Sequence, residues 1–133
     1  MPQSFKTEVV LMASTALVAD TLSSAGNIVV ASEDLSVGTD KDAQGSHDMD
    51  IELDVTTAPT TATRVELYEA RSSSKTAGEF SDPKLINVFQ GVKTTADQYR
   101  LTVPLLSPAC RYYLKSIGYG LTATLNGVPI TAG

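Results

Sequence analysis

Between His47 and Val55 the chain reads HDMDIELDV, and Met49, Ile51, Leu53 and Val55 alternate without a break against Asp48, Asp50, Glu52 and Asp54. Successive side chains of a strand point to opposite faces, so the stretch reads as a half-buried β-strand with one face on a core and four carboxylates on the other. The segment from Tyr99 to Gly120, YRLTVPLLSPACRYYLKSIGYG, adds two more strands around a proline-bounded loop. Tyr99, Leu101 and Val103 oppose Arg100 and Thr102, and Tyr112 and Leu114 oppose Arg111, Tyr113 and Lys115. Each of these two strands has one dry face and one basic face.

The other elements follow from turn chemistry and alternation. Residues 1–12 read as a flexible N-terminal arm and 13–133 as one domain. Val9 to Asp20 and Asn27 to Ala31 read as an opening pair of strands around Ser23-Ser24-Ala25-Gly26, because Ser14, Thr15 and Thr21 are poor helix formers. Glu33 to Ser46 and Arg71 to Glu79 read as surface loops, the second ending on Phe80 as an anchor. Between them lies RVELYEA, Arg64 to Ala70, with Val65 and Leu67 inward and Arg64, Glu66 and Tyr68 outward. LINVFQ, Leu85 to Gln90, is a further strand. Asn126-Gly127 is the preferred pair for a type I′ hairpin turn, and Pro129 points to an edge strand or one that ends early. The sum is about eight short antiparallel strands and no helix: an all-β, jelly-roll-like β-sandwich.

Composition narrows the function. The net charge of −5 argues against nucleic-acid binding, which needs a clustered basic surface. Charge is unevenly placed: Glu33 to Asp54 carries eight acids against Lys41, a net −7, whereas Lys84 to Lys115 carries five bases against Asp97, a net +4. The acidic stripe therefore either faces Arg100, Arg111 and Lys115 within the fold or faces a basic partner. A single cysteine, Cys110, excludes an intramolecular disulfide framework and reads as a small buried hydrophobe. VVLMASTALVA is too short to span a bilayer, and Glu8 and Leu17 fit a secretory leader poorly, so manufacture in a cytoplasm and no membrane association are expected.

Catalytic and metal patterns fail on inspection. Asp40, Asp42 and Gly45 start like a calcium loop, but the position that should supply a bidentate carboxylate is Ile51. The four carboxylates of the alternating strand stand in one row and form a solvated or salt-bridged stripe, not an acid and a nucleophile. His47 is the only histidine, which excludes a multi-histidine metal site. Gly118-Tyr119-Gly120 reads as a strand end without a phosphate loop, and Tyr68 and Tyr113 are the aromatic rings available to a sugar platform. No enzyme and no cofactor are expected.

From about residue 13 to 133 the order of blocks resembles the cement, or capsid decoration, proteins that stabilise the coats of tailed bacteriophages. The blocks are ALVADTLSSAGNIVV, EDL, FSDP after the Ser/Gly loop, and YRLTVPLLSPACRYYLKSIGYG before a Thr/Ala/Gly-rich end. The proline-bounded loop running into Arg111-Tyr112-Tyr113-Leu114 is the most specific of them. Cys110 departs from the pattern, which tends to Gly or Lys there, and so does the acid load of Asp48 to Asp54. The resemblance implies a jelly-roll-like domain without enzymatic activity on the capsid exterior of a virion, built in the host cytoplasm. It implies symmetric copies, dimeric or trimeric, that bridge neighbouring major capsid protein subunits. The arm residues Pro2, Gln3, Ser4, Phe5 and Lys6 are the expected capsid contact. The alternative is a tail, spike or adhesin β-sandwich module, with or without a ligand.

Overall fold

A computed structural model describes residues 4–5, 7–31, 46–72, 79–105 and 108–131. Its strands are β1 (Ser4–Phe5), β2 (Val9–Leu17), β3 (Val29–Val30), β4 (Ser46–Thr57), β5 (Thr63–Ser72), β6 (Lys84–Val92), β7 (Asp97–Pro104), β8 (Ala109–Ser116) and β9 (Leu121–Thr131). The alternating strand is β4, and Met49, Ile51, Leu53 and Val55 are buried as their spacing requires. One sheet runs β2-β9-β4-β7, with β1 extending the β2 edge, and the other runs β3-β8-β5-β6. The pairs β2 with β9, β3 with β8, β4 with β7 and β5 with β6 are nested in sequence. The chain is thus one long hairpin rolled so that β9 meets β4 and β8 meets β5, which is the jelly roll.

The core lies between the sheets. Tyr112 and Leu114 of β8 and Val65 and Leu67 of β5 come from one side, and Leu125 of β9 with the β4 row from the other. Tyr99 and Leu101, expected in the same core, are partly buried against it. Burying each aliphatic side chain contributes roughly 1.5–3 kcal/mol, so the β4 row is among the largest single contributions to the fold.

Several expectations are corrected. Residues 9–12 belong to β2 and place Val9, Leu11 and Met12 in the core, so the arm is shorter than residues 1–12. The opening strands do not pair: β2 joins β9 and β3 joins β8, in opposite sheets. Asn126-Gly127 is not a turn, because β9 runs straight through it. Asn126 pairs with Val10 and Glu52, and Gly127 with Val9 and Ile51. A Cβ on Gly127 would lie 2.6 Å from Met49 Sδ and 2.8 Å from Leu11 Cδ1, so this glycine answers crowding in the core. Nor is Pro129 on an edge strand: it pairs with Met49 of β4. On its other side β1 covers Ile130 and Thr131 and β2 begins opposite Gly127, so the residue without an N–H falls at the join of the two.

The two long sides of the sandwich differ. On one, the chain from Asp20 to Ala31 runs down β8, with the Asp20, Ser23 and Gly26 amides donating to the carbonyls of Ser116, Leu114 and Tyr112. Asn27 ties that segment to β2 through its backbone N–H to Leu11 O and its side chain to Val10 O, each at 2.8 Å. A Cβ on Gly26 would lie 2.4 Å from Leu11 O and 3.0 Å from Tyr112 O, a gap that admits only glycine. On the other side β6 and β7 are the two edges, each with one described sheet neighbour, β5 and β4 respectively.

Candidate functional site

The outer face of the β2-β9-β4-β7 sheet carries the acidic stripe. In-register pairing sets Arg100 of β7 opposite Glu52, where its Nη2 lies 2.5 Å from Glu52 Oε2 and its Nη1 lies 3.3 Å from Asp50 Oδ2. One guanidinium thus covers the middle of the stripe and helps to bury Glu52. Asp48 lies 3.5 Å from His47 Nε2, while His47 Nδ1 is 2.9 Å from Ile130 O. Asp54 stands between Gln98 and Thr124, and no described ion pair reaches it. Among the described residues, four carboxylates over one arginine leave this face acidic.

The outer face of the other sheet is basic and aromatic. Tyr68 and Tyr113 are direct cross-strand partners, as are Glu66 and Lys115. The Tyr68 hydroxyl donates to Glu66 Oε1 at 2.9 Å, and burial and this bond push Tyr68 above the usual phenol range. Arg64 reaches Glu66 at 3.9 Å. The Arg111 guanidinium lies 4.4 Å from the centre of the Phe80 ring, within cation–π range, so Phe80 anchors the end of its loop as expected. Arg111 Nε is buried without a hydrogen-bond partner. Of the bases expected to oppose the acidic stripe, Arg100 does so, whereas Arg111 and Lys115 lie on the opposite sheet.

A third cluster faces inward and continues the apolar rows of two strands. After Val65 and Leu67, the next inward positions on β5 are Glu69 and Arg71, set opposite Tyr112 and Cys110 of β8. Glu69 is 4% exposed, and its Oε1 accepts from Arg71 Nε at 2.5 Å. Burial pushes the Cys110 thiol up to about 12, and its Sγ lies 3.5 Å from the Tyr112 hydroxyl. Burial, then the neighbouring Cys110 and Glu69, push Tyr112 well above the phenol range. Cys110 is therefore a protonated core thiol and not a nucleophile. Simple continuation of the period-two pattern from Val65 would have placed Glu69 and Arg71 inward.

Of the arm residues, Ser4 and Phe5 pair with Thr131 and Ile130, leaving the Phe5 ring 68% exposed. Pro2, Gln3 and Lys6 lie outside the described residues, as do Asp40, Asp42 and Gly45 of the calcium-like loop. Gly118-Tyr119-Gly120 is the β8–β9 turn, with Gly118 at φ +77° and its amide donating to Asp20 Oδ1 at 3.0 Å. Among the described residues no three His, Cys, Asp or Glu side chains form a metal-binding group. No protein-family model matches the chain, and no curated protein does.

Proposed function

We propose that this protein is a structural component of a tailed-phage virion that docks on the outside of the assembled capsid and bridges major capsid protein subunits. The observation that carries the reading is the acidic outer face, where, among the described residues, Arg100 is the one arginine or lysine that pairs with the four carboxylates, at Asp50 and Glu52. A sheet face with an excess of carboxylates suits contact with a basic surface, and repetition of the contact by symmetry lets a small area per copy suffice. The likeness of the FSDP and RYYL blocks to cement proteins supports the same reading, and the jelly roll agrees with it, although that fold serves many functions.

A ligand that binds the assembled shell and not free subunits stabilises the shell by mass action. Shells assembled without the protein should therefore rupture at a lower temperature, and adding it back should restore them. Equal rupture temperatures at saturating protein would end this reading. They would favour a tail, spike or adhesin module using the paired Tyr68 and Tyr113 on the opposite face.

A further inference from the structure

We propose that the open side of the sandwich, between β6 and β7, is a binding site for a carboxylate group anchored by Arg71. A cleft of about 220 Å³ lies there. Glu69 and Arg71 of β5 line it, with Ile86 and Asn87 of β6 and the Thr102–Pro104 end of β7. This inference stands independently of the capsid reading.

The cleft follows from the shape of β6. Two register shifts, between Thr63/Val65 and Leu67/Tyr68 as counted on β5, insert extra residues into β6. One bulge includes Gly91, whose φ of +64° favours glycine, and the other sets Ile86 and Asn87 side by side. Bulges bend a strand and re-aim its side chains. The opposite side of the sandwich is tied shut through Asn27 and the tight passage at Gly26, so the two edges are built differently.

Packing gives little reason for a carboxylate at Glu69, since desolvating a charge is costly and its partner Arg71 stays partly in solvent. Binding does give one. Glu69 engages Arg71 through Nε alone, and a guanidinium has further N–H donors on its two terminal nitrogens. Arg71 lines the cleft with 43% of its side chain accessible. Glu69 is buried behind Arg71, so the cation is the member of the pair that reaches solvent at the mouth, and Lys84, in register with Glu69 on β6, adds a second positive charge to that edge. Arginine matches carboxylate geometry with paired N–H bonds. The volume is below the roughly 300–1,000 Å³ of drug-sized pockets and fits a short acid, either free or as the side chain of an extended peptide lying along the seam.

The test is a titration of the full chain at constant ionic strength, followed through the backbone amides of Asn87, Thr102 and Val103. The probes are acetate, succinate and a capped Thr-Val-Glu-Val-Thr peptide, with acetamide and the glutamine form of the peptide as neutral counterparts. The acids should give saturable shifts at these amides and the neutral probes none. Asn87→Asp keeps an oxygen to accept the Val88 N–H that Asn87 Oδ1 now accepts at 2.8 Å, and adds a like charge at the mouth. It should weaken acid binding about tenfold, and Arg71→Gln should abolish it. If Arg71→Gln fails to fold, Asn87→Asp decides alone. A peptide that saturates at least about tenfold below acetate identifies a side-chain carboxylate as the natural form; equal affinities identify a free acid. Equal response to neutral probes, or unchanged acid binding by Asn87→Asp, overturns the proposal.

Discussion

Cys110 and Tyr112 sit side by side behind Glu69, and both keep their protons because burial penalises the charged forms. Their effect on stability has a definite sign. Between pH 9.0, where an ordinary thiol titrates, and about 12, the folded chain holds a proton on Cys110 that the unfolded chain releases. Stability is therefore complete below this window and falls as pH rises through it, by at most about 1.4 kcal/mol per pH unit for this one group. Tyr112 adds a second loss above its ordinary value of 10.0. Glu69 and Arg71 are the charged groups facing the pair. Urea melts from pH 8 to 11 should show a falling midpoint, with a shallower slope in Cys110→Ala. A wild-type profile that stays flat over that range would mean the thiol titrates as if exposed.

At the scale of elements, the edges decide how the roll closes. The edge strand β2 carries two register shifts against β9, and β6 carries two against β5. Such irregularities bend edges away from a straight template for unwanted pairing. The β2–β3 side then depends on close backbone passage at Gly26. An added methyl there meets two backbone oxygens, whereas at Gly127 it meets the far ends of Met49 and Leu11, which can swing aside. Gly26→Ala should accordingly cost more than the roughly 1–3 kcal/mol typical of overpacking, and Gly127→Ala should stay within it. Paired chemical melts of the two variants check this; a smaller loss at Gly26 would show that the side is not held by that passage.

For the whole molecule, the two outer faces differ in sign. One carries four carboxylates and Arg100, whereas the other carries Arg64, Arg111 and Lys115 with Glu66. The proposed docking through the acidic face predicts salt-dependent shell binding, because exposed charges are screened beyond roughly 8 Å at physiological ionic strength. Affinity for shells should fall as salt is raised. Asp54→Asn, which removes a charge no described ion pair reaches, should weaken low-salt binding by roughly threefold and flatten the salt dependence. Binding indifferent to both would move the contact to another surface.

The sequence by itself determined the strand character of most of the chain and the inward row of β4, because alternation is a local property of one strand. It also determined the inward Tyr112 and Leu114 and the core position of Cys110. Tertiary structure alone decided which strands are neighbours. The turn preference of Asn126-Gly127 is a local energy, and it gives way to ladders with β4 on one side and β2 on the other. The opening strands separate into two sheets for the same reason: each edge position in the roll is defined by a partner far along the chain, 104 to 118 residues away for β2 with β9 and about 80 for β3 with β8. The division of labour among the basic residues was likewise decided by the roll. Arg100 meets the acidic stripe because β7 lies beside β4, and Arg111 and Lys115 do not because β8 lies in the other sheet.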